Sequence, residues 1–298
     1  MIIKLCQSAA LLVTGLLAGF AASPLAASPA VSLLDPQLSQ WETFLSYRHQ
    51  DPYNGSQPTD AAGKPVAPLG VFPGLDPHGV FTLVQQDGET VLRVSGEIYG
   101  ALTSKQAFRN YHLTLQYRFG EKKWPPRLEK LKDSGILYHA NGPHGQEYFR
   151  SWMLSQEFQI MQGHTGDYWQ QADSAIDIRA FQPEGEMNAV ADITQPFLQT
   201  GRGSGGPSFV MRQLNAEKPG NQWNTVELIC FEGQSLHIVN GQVVMVLKNS
   251  RYHRHGRDIP MWQGKIQLQS EAAEIFYKNI RLQTLDTLPA QYAGYFAE

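Results

Sequence analysis

Cysteine is nearly missing from this 298-residue chain, which has only Cys6 and Cys230. Cys6 falls in a segment that reads as a removable leader, so the mature chain would keep one thiol and no internal disulfide. On a strand, Val226, Leu228 and Cys230 share a face, and Cys230 then reads as a small buried hydrophobe. Charge is also scarce. Charged residues make up 17% of the chain, the net charge is −3 and no basic stripe occurs, which argues against a nucleic-acid partner. Long hydrophobic runs are lacking apart from Leu11 to Ala22, which is too short to span a bilayer comfortably. Lys4 precedes that run and the small-residue segment Ala21 to Ala30 follows it, the order of a secretory signal peptide. Residues 1–27 are therefore read as the signal, with cleavage after Ala27 or Ala30. The mature protein is expected to be soluble, periplasmic or secreted, with no transmembrane segment. Neither a GxSxG elbow nor a phosphate-binding glycine loop is present, so nicotinamide and flavin cofactors are not indicated.

What the chain has is glycine (27), proline (18) and short alternating segments, the composition of a loop-rich β protein. Residues 28–75 show no sustained periodicity and read as an ordered N-terminal loop segment, with Trp41, Phe44, Tyr47 and Tyr53 packing on the body at 76–298. Val80 to Gln85 and Thr90 to Ser95 flank Asp87-Gly88, a dipeptide suited to positive-φ hairpin turns. Tyr111 to Phe119 alternates apolar odd positions with His112, Thr114, Gln116 and Arg118. A charged, proline-interrupted insertion follows at Glu121 to Lys132. Asn224 to Phe231, Ser235 to Val239 and Gln242 to Leu247 form a meander around Glu232-Gly233 and Asn240-Gly241. Lys265 to Ser270 and Glu274 to Leu282 complete the set, and Gln170 to Pro219 reads as irregular. Many short strands and hardly any helix imply a single-domain β-sandwich.

Asp133 to Trp169 is the most informative stretch. In its first strand Ile136 and Tyr138 share one face, while Gly135, Leu137 and His139 share the other. In its second, Phe158 and Ile160 point to the core and Glu157 and Gln159 point together to the opposite face. The loop between them, His144 to Met153, holds Glu147, Tyr148, Phe149, Arg150 and Trp152, a mixture suited to a sugar.

The pieces DSGILYH (133–139), SQEFQIMQGHTGDYW (155–169), KPGNQWNTVEL (218–228), VNGQVV (239–244) and GKIQLQSEAAEIFYKNIRL (264–282) resemble, in this order, the 3-keto-disaccharide hydrolase domain family. The chain departs from the family pattern at Ala272-Ala273, where a glycine is common, and at Tyr277-Lys278, where Phe-Arg is. The resemblance implies an all-β, concanavalin A-like jelly-roll β-sandwich of two antiparallel sheets with long loops. It also implies cleavage of glycosides already oxidised at sugar carbon 3, with a separate sugar 3-oxidoreductase making the substrate. A ketone at C3 acidifies the C2 hydrogen, so a base can form an enolate that expels the C1 substituent, and water then adds to the enone. Such a route needs a general base, donors or a divalent metal ion for the enolate oxygen, and a proton source.

Glu157 is the first candidate for acid or base, with His139 and Gln159 assisting. A two-carboxylate glycosidase would want a second carboxylate near it, and Gln159 stands two residues on. Trp152, Tyr168 and Trp169 read either as stacking platforms for a sugar ring or as packing under a loop. Tyr138, Gln269 and Glu271 are candidate sugar contacts. Asp167 reads either as a ligand-orienting group or as turn chemistry in Gly-Asp, and His139 either as a site residue or as a hydrogen-bonded structural histidine. His253 and His255 read as an exposed basic loop rather than a metal site. The second function class is a non-catalytic carbohydrate-binding module. A deep pocket in which Glu157 meets His139 would favour catalysis, and a shallow aromatic platform would favour binding.

Overall fold

The computed structural model describes residues 28–50, 56–147 and 150–297. The expected signal peptide at 1–27, and Tyr53, Tyr148 and Phe149, lie outside the described residues. No helix among the described residues is long and apolar enough to cross a membrane.

Period-2 alternation builds the molecule. In Tyr111–Lys123 the residues Tyr111, Leu113, Leu115 and Tyr117 are buried, while His112, Thr114, Gln116 and Arg118 are only partly covered. That strand is central to a back sheet, between Asn224–Phe231 on one side and Ala273–Thr284 on the other. Beyond Asn224–Phe231 the back sheet continues through Gln234–Val239, Gln242–Arg254, Ser174–Phe181 and Phe197–Gly201, all antiparallel. The tight turns expected at Asp87-Gly88 and Asn240-Gly241 have positive φ at both residues, which lets two residues reverse the chain without splaying the strands.

The second sheet carries the site. From one edge it runs Gly70–Pro73, Trp41–Leu45, Gly100–Ser104, Lys265–Ser270, Asp133–Asn141, Leu154–Met161, Tyr168–Gln171 and Phe209–Met211. Its last strand, Ala189–Ala191, adds in parallel, and this sheet is otherwise antiparallel. Ile136, Phe158, Ile160, Ile266 and Leu268 face Leu113, Leu115 and Tyr117 across the core between the sheets. The result is a concanavalin A-like jelly-roll β-sandwich.

Two stretches differ from the sequence reading. The segment expected as a loop from Trp41 supplies Trp41–Leu45 and Gly70–Pro73 to the site sheet, with Trp41 and Leu45 buried in the core. Gln170 to Pro219, expected to be irregular, holds parts of five strands. Four of them have five residues or fewer, but Ser174–Phe181 does alternate, with Ile176, Ile178 and Ala180 in a core cluster and Asp177 and Arg179 between them, a signal the sequence reading passed over.

Candidate active site

The site grows out of one missing side chain. Gly135 sits opposite Gln159 on the outer face of the site sheet, and a β-carbon there would lie 2.4 Å from Gln269 Oε1 and 2.7 Å from Glu157 Oε1. The space above Gly135 is filled by these two side-chain ends. Gly135→Ala must displace them, and because both are flexible tips the expected outcome is a folded protein whose turnover falls about 10- to 100-fold. Steady-state kcat measured beside a melting curve checks this.

Glu157 lies on the floor of a cavity of about 270 Å³ and is 2% exposed. Gln171, at the end of the neighbouring strand, donates its amide to Glu157 Oε2. Burial pushes the Glu157 carboxyl up to about 8, and the nearby Glu271 charge adds to the rise. Gln171, Gln269 and Arg127 oppose it, although neither polar atom of Gln269 makes a hydrogen bond of standard geometry.

Two further buried carboxyls, Asp133 and Glu271, bridge through their backbones and share one cation. The Arg127 guanidinium reaches Glu271 Oε1 at 2.5 Å and also pairs with Asp133 Oδ2. Burial first, and then the Glu271 charge, holds the Asp133 carboxyl well above the usual carboxylate range, with Arg127 pulling it down. Burial raises Glu271 too, against the same guanidinium. Arg127 is placed by the insertion at Glu121 to Lys132, which folds over the sheet rather than into solvent. Trp124 N donates to Ala272 O at 2.9 Å, its indole donates to Ser95 O at 3.0 Å, and Arg127 N donates to Trp124 O at 2.8 Å.

Described residues of the loop between Asn141 and Leu154, Glu147 and Trp152 among them, form another wall. It is pinned to the sheet where Met153 N donates to Gln267 Oε1 at 3.1 Å. Trp152 from this loop is fully buried against Tyr99, with ring centroids 6.2 Å apart, and lines the cavity beside Glu147. Trp169 is 38% exposed at the rim and paired with Glu157 across the strands. Its ring packs on Phe209, centroids 4.3 Å apart, and the rest of it is the exposed aromatic surface at the rim.

The structure thus brings together Glu157, Gln159, Trp152, Trp169 and Glu271 on the cavity wall, with Gln269 against Glu157. His139 is not with them. A bulge after Tyr138 gives His139 φ 52°, which reverses its face and turns its ring toward Ser250 Oγ, 3.3 Å away on the back sheet. Burial pushes it down to about 3, so it is neutral in the core. Tyr138 is likewise a core residue, its hydroxyl 3.0 Å from Ser235 Oγ. Tyr168 faces inward and donates to Gln156 Oε1 at 2.7 Å. Asp167 is fully buried in an ion pair with Arg212 at 3.0 Å, with His164 Nδ1 at 3.2 Å, away from the cavity. His253 pairs with Asp258 at 2.8 Å in a hairpin rather than a free loop. Cavity residues that sequence reasoning did not single out are Asp133, Arg127 and Gln171, whereas Glu147 comes from the loop read as suited to a sugar.

Among the described residues no three His, Cys, Asp or Glu side chains are arranged to hold a metal ion, and the cation beside Asp133 and Glu271 is Arg127. What the cavity offers is a proton-holding carboxyl, a guanidinium-clamped carboxyl pair, amides and an indole face.

The model of the 3-keto-alpha-glucoside-1,2-lyase-like domain matches residues 29–283. The chain belongs to this family. It is accordingly a carbohydrate-active protein. No curated protein matches the sequence. Among solved structures it resembles a candidate glycosyl hydrolase from Parabacteroides distasonis ATCC 8503, at 17% identity over 72% of this chain and 86% of that one, TM-score 0.42. It also resembles carbohydrate-binding module CBM66 from Bacillus subtilis (7% identity, 68% and 92% covered, TM-score 0.38). A Bacillus licheniformis β-glucanase is similar at 12% identity, with 88% and 100% covered and TM-score 0.36.

Proposed function

We propose that this protein cleaves 3-keto-glycosides by elimination across C1 and C2 followed by addition of water. The observation that carries the reading is one guanidinium set against three buried carboxyls in a small cavity. A buried cluster with a single cation favours a single carboxylate charge, because a second would go unpaired at low dielectric. Arg127 contacts Asp133 and Glu271, so the charge belongs to that pair, and Glu157, raised to about 8, keeps its proton at neutral pH.

The roles follow from that division. The ionised member of the Asp133–Glu271 pair removes the C2 proton, and the electron pair moves to the C3 oxygen as an enolate. Arg127 and the Gln159 amide are the donors at hand for that oxygen. The enolate re-forms the ketone as the C1–O bond breaks, and Glu157 gives its proton to the leaving oxygen. Water then adds to the enone: the Glu157 carboxylate takes one of its protons as the hydroxyl joins C1, and the protonated member of the pair returns its proton to C2, so that the net change is hydrolysis and both groups are reset. Trp169 stacks on a sugar ring. The family description names a 1,2-lyase, which matches the elimination half of this route. An exported location and a separate oxidoreductase that supplies the 3-keto sugar belong to the same reading.

The test is sugar release from a 3-keto-disaccharide and from its unoxidised parent, with and without a chelator. Cleavage of the keto form alone is expected, with a primary isotope effect when C2 carries deuterium. Equal cleavage of the parent would overturn the elimination route, and binding without cleavage of either sugar would make the protein a carbohydrate-binding module. The chelator arm reports whether a divalent ion assists at the enolate.

A further inference from the structure

The Asn141-to-Met153 loop that walls the acidic cavity also walls a second, larger one of about 520 Å³. The two have opposite chemistry. No aspartate or glutamate lines the larger cavity, whereas Arg109 and Arg254 do. Among the described residues neither arginine pairs with a carboxylate. Arg109 stands over the Trp262 ring at 5.8 Å from its centroid, and Arg254 over Tyr252 at 5.6 Å. Both arginines are exposed, and an unpaired guanidinium is a bidentate donor suited to a carboxylate or sulfate.

The cavity is also preformed. Asn141 Nδ2 donates to His139 O and Gln263 O, both at 2.8 Å, and Gln146 Nε2 donates to Asn141 O at 2.9 Å, so backbone carbonyls fix the loop wall. Trp262 is seated against Gly233, where an added β-carbon would lie 2.3 Å from its indole nitrogen. Gly233 has φ 80° in the Glu232-Gly233 turn, so the turn glycine also makes the slot for this ring. A fixed indole beside unpaired guanidiniums, with Ile259 and Pro260 adding apolar surface, offers a C–H-rich ring and its acid group separate partners.

We infer that this cavity is a second saccharide site, distinct from the acidic one, that takes a sugar carrying an acid group. The assignment does not depend on the reaction proposed for the acidic cavity.

Calorimetric titration of the full mature chain with tetragalacturonate, sulfated maltotetraose and neutral maltotetraose tests it. At least one of the acidic sugars should bind in preference to the neutral one, and the tighter of the two identifies the acid. Trp262→Ala should weaken that binding by about tenfold or more while leaving turnover of the 3-keto-disaccharide unchanged. The Arg109→Gln/Arg254→Gln double variant changes only exposed residues. It should lose the preference for acidic over neutral sugar, and added salt should erode the same preference in the wild type. Glu157→Gln should bind the acidic sugar as the wild type does. Failure of both acidic sugars to bind, retention of the preference in the double variant, or loss of binding in Glu157→Gln would each overturn the assignment.

Discussion

Replacing Glu157 with glutamine should lower turnover by a factor of about 10² or more and leave the fold intact. Glutamine keeps the shape and the neutrality that the buried carboxyl has at pH 7, so the hydrogen bond from Gln171 is the main contact to readjust. What is lost is the transferable proton. The wild type should therefore work below pH 8 and lose activity as pH rises through about 8, where the acid ionises. That alkaline limb should be absent from the residual rate of Glu157→Gln. Stability carries the same signature. Glu157 titrates near 4.5 when unfolded and near 8 when folded, so between those values the folded state holds the extra proton. Stability from this group is then full below the unfolded value and declines as pH rises toward 8, and the glutamine variant should lack that decline. Unchanged kcat in Glu157→Gln, or an alkaline limb that persists in it, would remove Glu157 from the acid role.

The outward placement of Glu157 was legible because strand alternation is local: Phe158 and Ile160 fix the inward face, and Glu157 and Gln159 must share the other. The same rule placed Gln267 and Gln269 opposite Ile266 and Leu268. It failed at His139, where a single bulge residue reverses the face, and nothing in YHAN marks a bulge in advance. Asp133 begins the most informative strand, yet its role depends on Glu271, 138 positions later, and on an arginine in a proline-interrupted loop. Such convergence is set by topology, which pairs Lys265–Ser270 with Asp133–Asn141 and folds the insertion across both. Asp167 shows the reverse error. The Gly-Asp pattern resembles a ligand position, but the buried partner Arg212 lies 45 residues away, just past the three-residue strand Phe209–Met211.

Arg127→Met should cost about 3–5 kcal/mol of stability at neutral pH, because it strips the cation from a buried pair of carboxyls. Methionine preserves most of the apolar stem, so the loss reports charge more than volume. Without the guanidinium both Asp133 and Glu271 must stay protonated in the folded chain, which lifts their already raised values further. The unfolded chain releases those protons near the ordinary carboxylate range, so the deficit should shrink as pH falls toward about 4. Denaturant melts of wild type and variant at pH 7 and pH 5 measure this, with the smaller gap expected at pH 5. Activity should fall with stability, since a pair held neutral has no charge with which to take the C2 proton. A variant as stable as the wild type at both pH values would mean that Arg127 does not compensate the carboxyl pair. The division of labour between that pair and Glu157 would then lose its physical basis.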